Sequence, residues 1–368
     1  VTSSTAAAPA VPAAVGGADR AGAQASPEAM SAYLALRHLP RADLAWCAGV
    51  VPGLPSASHA PTPVASAGAL VDGLGAAVPT GDALGLLLSG GIDSAILAAM
   101  VAPGTPCFTI AFDVPGAIDE SVAAARYAAR WGHPHHVVRV RWQDYLEQAD
   151  ALMVAKRSPL HAIEVPLHLA ARAARRSGVR TLLVGNGADS NFGGLDQLLA
   201  VDRTFDAFVR RYCFADPARI LVDPREVTPY FEPYRTATGV DVQAFLHEVH
   251  GQGIVQSFET AIGTAGVGIV APYETVCHDG PLDLARIRGG EPKYLVQEAF
   301  RLLYGDDHVP TKIAFARPTD IWLAAWNPPP GRAELRVDLD LRDASGEERW
   351  LVWCLVRFLE LLEQGHVG

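Results

Sequence analysis

The stretch Leu86-Leu87-Leu88-Ser89-Gly90-Gly91-Ile92-Asp93-Ser94 constrains this chain more than any other. An apolar run suited to a buried strand empties into Ser-Gly-Gly, and a helix-forming run, Ala95-Ile96-Leu97-Ala98-Ala99-Met100, follows at once. A strand, a tight glycine turn and a helix start together present backbone N–H groups to an anion. Gly90 and Gly91 lack the Cβ atoms that would hold a phosphate at a distance. Ser89 and Ser94 add hydroxyls, and Asp93 adds a carboxylate able to hold Mg²⁺ against phosphate oxygens. No Gly-Lys-Ser/Thr follows, so this is not a Walker A loop. The whole motif, set between strand and helix, predicts a site for nucleotide phosphate.

The flanking pattern predicts an α/β fold. Strands are expected at Gly85–Leu88, Cys107–Phe112, His136–Val140 and Arg180–Val184, alternating with helices at 68–78, 94–101, 119–131, 142–154 and 166–176. Such alternation implies a parallel sheet covered on both faces. Ligands on these sheets sit beyond the carboxyl ends of the strands, where Ser89 and Gly185 would both lie. A second glycine motif, Gly185-Asn186-Gly187-Ala188-Asp189-Ser190-Asn191-Phe192-Gly193-Gly194, follows the fourth strand. Its glycines allow close backbone approach, and Asp189 brings a second carboxylate to the same sheet edge. Two carboxylates on one triphosphate can share magnesium. Beyond Asp196 the chain reads as mainly helical, with helices at 198–212, 240–249, 253–262, 292–304 and 350–362. On the helix from Pro292, Tyr294, Leu295, Ala299, Leu302 and Leu303 share one apolar face. Lys293 and Lys312 are point charges suited to a leaving pyrophosphate or an oxyanion.

Elsewhere the chain gives boundaries and exclusions. Residues 1–27 are Ala, Ser, Pro and Gly with almost no large apolar side chain, and disorder is expected there. A short helix is expected at 30–36 and an extended segment at Ala45–Val51, and 54–66 reads as loop. The net charge of −10 and the absence of a basic stripe argue against a nucleic-acid surface. No apolar run is long enough to span a membrane. Five scattered cysteines with no CxxC pair fit reduced thiols and a cytoplasmic location. His133, His135 and His136 have poor spacing for a metal site.

Taken together, the motifs resemble the synthetase domain of asparagine synthetase, a PP-loop ATP pyrophosphatase of HUP-like α/β fold, over about 32–318. Ser89–Ser94 resembles the PP-loop, and Phe108–Phe112 resembles the strand that holds adenine. Gly185–Gly194 resembles the family's Gly-Glu-Gly-Ala-Asp-Glu-Leu-Phe-Gly-Gly. Ala271-Pro272-Tyr273-Glu274 falls where the family has an Arg-Val-Pro-Phe-Leu-Asp-like segment. Lys293–Ala299 and Thr311-Lys312 resemble its Lys-x-x-Leu-Arg-x-Ala helix and Arg-x-Lys turn. The resemblance implies that a carboxylate attacks the α-phosphorus of ATP and that an amine or ammonia then attacks the acyl-adenylate. By carry-over, Ser89, Gly90, Gly91, Asp93 and Ser94 bind pyrophosphate, and Asp93 and Asp189 bind Mg²⁺. Leu88, Ile110, Phe112, Gly185 and Gly187 lie with ATP, and Lys293, Lys312, Asn186 and Glu274 are the catalytic candidates. It implies four segments: the tail 1–27, a remnant of a glutaminase domain and linker at 28–67, the pyrophosphatase domain at 68–330 and a helical extension at 331–368.

Two departures bear on the substrate. The family's glutaminase begins with a catalytic cysteine, whereas the first cysteine here is Cys47, so no glutaminase activity is expected. Nitrogen would then come as ammonia, from a separate amine-donor protein or from an amine substrate. Asn186 stands where asparagine synthetases have the glutamate that meets the α-amino group of aspartate, which argues against aspartate and points to specialised metabolism. A β-lactam-synthetase-like cyclase and a non-catalytic nucleotide-binding subunit are the rival readings. The resemblance also leaves room for a homodimer.

Overall fold

Among the described residues seven strands form two sheets: β1 (Thr62–Val64), β2 (Leu84–Leu87), β3 (Cys107–Phe112), β4 (His135–Val140), β5 (Thr181–Leu183), β6 (Gly268–Val270) and β7 (Val276–His278). They belong to a computed structural model that describes residues 24–53, 55, 60–81, 83–305, 309–310 and 317–367. Most of the tail read as disordered lies outside the described residues, as does Lys312.

The main sheet is parallel throughout, in the order β4-β3-β2-β5-β6. From β2 the chain winds outward through β3 to β4, then returns to place β5 on the other side of β2. The β2–β5 boundary is therefore the topological switch point, where a crevice opens beyond the carboxyl ends. Register sets Leu86 opposite both Cys107 and Leu183. Adjacent residues along a strand point to opposite faces, and the cores follow that rule. Leu86, Cys107 and Leu183 pack in one core with Ile96, Ala124 and Val296. Phe108, Leu182 and Val184 pack in the other with Leu167, Ala171, Phe258 and Ile262.

The covering helices are α2 (Ala67–Ala77), α3 (Ile92–Ala98), α4 (Ser121–Arg130), α5 (Trp142–Lys156), α6 (Glu164–Arg176) and the short α7 (Ala188–Asn191), joined later by α9 (Gln252–Thr264) and α10 (Tyr294–Tyr304). A third core joins the two ends of the described chain. In it α1 (Pro27–Leu36) and α11 (Gly346–Glu363) pack with α5 and α8 (Phe205–Tyr212). Tyr33 Oη and Trp350 Nε1 both donate to the Leu160 carbonyl, at 3.0 and 3.1 Å. The Trp46 ring lies 4.9 Å from Phe358.

Several expected elements differ. Ala45–Val51 is a turn, with the antiparallel bridge Cys47–Val50, and not a strand. The helix expected over 198–212 is broken: Asp196–Leu199 is separate, and α8 restarts after the Thr204 cap. The helices expected at 240–249 and 253–262 are one run, Val242 to Thr264, carried through by π-type turns at Leu246–Gly251. β6 and the β1–β7 pair arise in segments read as loop or helix break. Leu302 is 64% exposed despite its place on the expected apolar face. Cys107, Cys213, Cys277 and Cys354 are free thiols, and no described helix is long and apolar enough to cross a membrane.

Candidate active site

The crevice at the switch point widens into a cavity of about 1720 Å³. Its floor is the Ser-Gly-Gly turn between β2 and α3. Ser94 Oγ accepts from Ser89 N–H (2.9 Å) and lies 3.0 Å from Ser89 Oγ, which accepts from Gly91 N–H at 3.1 Å. These bonds fix the turn without outside help. Gly90 N–H donates to Glu120 Oε2 at 3.3 Å, so the turn accepts an anionic oxygen from the chain itself. Burial pushes the Glu120 carboxyl above its ordinary value, and the Gly90 hydrogen bond opposes that rise.

Beside the turn, three charges meet. Lys293 Nζ donates to both Asp93 oxygens (2.9 and 2.7 Å) and lies 3.1 Å from Asp189 Oδ1. Lys293 is 5% exposed and heads α10 in a left-handed conformation, φ 54°. A lysine held there is strained, and the two carboxylates are what hold it. Burial alone would lower its pKa, but Asp93 and Asp189 outweigh burial and raise it, so the ammonium persists. Asp189 is carried by α7 from β5, and Asp93 by α3 from β2, so the switch point itself brings them together. Two hard oxygen donors at one point fit Mg²⁺ completed by phosphate oxygens, the usual mode for that ion. Among the described residues no group of three or more His, Cys, Asp or Glu forms a metal cage. The three histidines serve separate contacts: His133 bonds the Ala98 carbonyl, His135 bonds Thr109 and His136 stacks on Phe108.

Glycine has a steric purpose here. A Cβ on Gly194 would fall 2.0 Å from Asp189 Oδ1 and 2.7 Å from Lys293 Cδ. Gly194→Ala is therefore expected to displace both groups. Activity should fall at least tenfold, while Gly68→Ala, at a site with open space around it, should leave activity within about twofold. Steady-state kinetics on the two variants checks this.

A second pair faces the same cavity. Asn186 Nδ2 donates to Glu274 Oε1 at 3.0 Å, across 88 residues of sequence. Gly187, at φ 94°, lets the motif pass close to Glu274: a Cβ there would lie 2.9 Å from Oε1. Burial pushes the Glu274 carboxyl up to about 7, with the Asn186 bond opposing. A carboxyl at that value can take or give a proton at neutral pH.

Of the expected site residues, Leu88, Ser89, Gly90, Gly91, Asp93, Ser94, Ile110, Gly185, Asn186, Gly187, Asp189, Glu274 and Lys293 all line this one cavity. Phe112 does not. It sits in the core at the end of β3, 7% exposed, with its ring 5.8 Å from Trp322. Strand alternation puts it on the face of Ile110, but the helical layer closes over it. Sequence reasoning missed Thr109, whose Oγ1 donates to the Leu88 carbonyl at 2.6 Å, and Glu120 as the partner of Gly90. It also missed Arg37, His161 and Arg317.

Residues 69–239, which carry both glycine motifs, match the family model for asparagine synthase. This segment is an asparagine synthase domain. Two curated fungal relatives are similar to parts of the chain. Amidase chyE of Penicillium rubens is 31% identical over 133 residues, and amidase chry2 of Gibberella zeae is 30% identical over 131. Each match spans 31% of this chain and 20% of the relative's length. Among solved structures, the U34-tRNA thiolase NcsA of Methanococcus maripaludis is 12% identical, with 70% of this chain and 84% of that chain covered at a TM-score of 0.27. The asparagine synthase segment ends at 239, so Glu274 and Lys293 reach the site from beyond it.

Proposed function

We propose that the protein is an ATP-dependent, AMP-forming amide ligase that adenylates a carboxylic acid and transfers the acyl group to an amine or to ammonia. The observation that carries this reading is one cavity holding two distinct machines. Ser89–Ser94, Asp93, Lys293 and Asp189 form an anion-binding end, and Asn186–Glu274 forms a proton-transfer end. In the first step a carboxylate oxygen of the acid bonds to the α-phosphorus of ATP and the bond to pyrophosphate breaks. The Lys293 ammonium stabilises the charge that accumulates on the departing pyrophosphate, joined by the Gly90 N–H once a phosphate oxygen takes the place of Glu120. Asp93 and Asp189 would hold Mg²⁺, which supplies further charge neutralisation at the phosphates. In the second step the amine nitrogen bonds to the acyl carbon and the bond to AMP breaks. Ionised Glu274, steadied by Asn186, takes the proton released from that nitrogen. Most of the rate enhancement is positioning and fixed charge. Lys312 is assigned to the same anion-binding end on the strength of its motif.

The test is ATP–pyrophosphate exchange in the presence of a panel of carboxylic acids. Acid-dependent exchange, with AMP as product once an amine is added, is expected. Release of ADP and phosphate, or nucleotide binding with no acid-dependent turnover for any acid, would overturn the reading.

A further inference from the structure

The Ser89-Gly90-Gly91 turn carries three backbone N–H groups, and the chain already engages all of them. Those of Ser89 and Gly91 donate to Ser94 Oγ and Ser89 Oγ, hydroxyls of the turn's own motif. The third, on Gly90, donates across 30 residues of sequence to Glu120 Oε2 at 3.3 Å. Its acceptor is an anionic oxygen from another element, at the head of α4, and Glu120 lines the cavity together with Gly90 and Gly91. The backbone of Glu120 is tied in place. Its carbonyl accepts from Ala124 N–H at 3.0 Å, and its Cβ would lie 3.1 Å from a Cβ on Gly90. What can turn is the side chain. The neighbouring Asp119 carboxylate is engaged elsewhere, accepting from Ser121 N–H at 2.9 Å.

Little else holds the Glu120 carboxylate. Among the described residues no ion pair reaches it, and burial, which raises its pKa, is opposed by the Gly90 bond. A carboxylate held firmly as an ion has two or three such donors. The position it fills is the one a phosphate oxygen needs, and two anions brought to one N–H repel. The lysine side of the same end is neutralised in a similar way, with the Lys293 ammonium clamped by Asp93 and Asp189.

We propose that Glu120 is an internal competitor for the pyrophosphate seat. Its carboxylate takes the Gly90 N–H when no nucleotide is bound, swings aside for the phosphates of ATP, and returns to help expel pyrophosphate after the acid is adenylated. The last step rests on the ligase reading; the competition itself needs only the phosphate seat. Apparent affinity falls with the fraction of protein whose binding-competent state is populated. Removing the competitor therefore tightens ligands that use the seat and leaves others alone.

Calorimetric titration of wild type, Glu120→Ala and Glu120→Gln with pyrophosphate and with adenosine, at fixed Mg²⁺, tests this without turnover. Glu120→Ala is expected to bind pyrophosphate at least about fivefold more tightly than wild type, the scale of one displaced hydrogen bond. Glu120→Gln keeps the reach with a neutral, weaker acceptor, so it should gain less, and it carries the test should the alanine variant fail to fold. Adenosine, which has no phosphate, should stay within about twofold in both. As a product inhibitor of amide formation, pyrophosphate should act on the variants at correspondingly lower concentration. Loss of a negative charge also acts at a distance, and salt separates the two effects. At 1 M salt the Debye length is about 3 Å, so displacement of a direct contact keeps the ratio between variant and wild type, whereas distant repulsion loses it. Thermal melts show that each variant is folded. Pyrophosphate affinity unchanged or weaker in Glu120→Ala, or a gain that vanishes at 1 M salt, overturns the proposal and leaves Glu120 as a brace on the turn. Failure of the ligase reading looks different: no acid supports exchange, while the titrations still report on the seat. Adenosine binding with no binding of pyrophosphate by any of the three proteins removes the seat, and the proposal with it.

Discussion

Lys293→Met is expected to lower acid-dependent pyrophosphate exchange by about 10²–10³-fold or more, the scale of losing one preorganised charge donor at a transition state. Methionine keeps the length and volume of the side chain and removes only the ammonium. What remains is Asp93 and Asp189, brought together at the switch point without the ammonium that offsets their charge. Leaving such acceptors without their donor costs about 1–3 kcal/mol, so the melting temperature should fall as well. The sign of the pH dependence follows from the raised lysine pKa. The stabilisation is fully present below the unfolded lysine value of about 10.4 and is lost only as pH climbs through the higher folded value. Across the neutral range the deficit of the variant should therefore stay constant. The measurement pairs exchange kinetics with thermal melts. A Lys293→Met enzyme that exchanges within tenfold of wild type would remove this lysine from the chemistry.

Glu274→Gln should separate the two half-reactions. Amide formation is expected to fall by about 10²–10⁴-fold, the usual contribution of a positioned general base, while pyrophosphate exchange changes far less. The carboxyl sits near pH 7 because it is buried, and it accepts a proton only when ionised. For the wild type, kcat/KM for the amine should rise with pH along a limb centred near 7 and level off above it, and the limb should vanish in the variant. An amine of low basicity keeps its own titration out of that window. Hydroxylamine, which needs little help from a base to attack an acyl-adenylate, should rescue the variant. A variant impaired equally in exchange and in amide formation would assign Glu274 to binding.

How much of this could be read from sequence differs by element. The Ser-Gly-Gly turn and the Gly185–Gly194 segment were legible because each packs its chemistry into ten residues or fewer, at the end of a strand whose apolar run is unmistakable. Parallel sheet and helical cover followed from the alternation. The fifth strand, Gly268–Val270, was not legible, since three residues between a helix and a proline carry no period. Nor were the breaks and joins of the helical part, where the Thr204 cap and the π-type turns override the local pattern. Phe112 was carried over with the adenine-strand resemblance, and a resemblance does not show what covers a side chain: here the ring packs in the core against Trp322. The charged constellation also lay beyond sequence. Lys293 reads as a phosphate ligand from its motif, but its two-carboxylate clamp spans 200 residues. The Asn186–Glu274 pair likewise depends on a contact that only the fold creates.

The central claim is that ATP is attacked at its α-phosphorus by the carboxylate of an acid. It is tested most directly by running the reaction with an acid labelled with ¹⁸O in that carboxylate and analysing the nucleotide product by mass spectrometry. The account predicts one ¹⁸O atom in the phosphate of AMP, with unlabelled pyrophosphate. Label appearing in inorganic phosphate alongside ADP, or AMP formed without label, would contradict it.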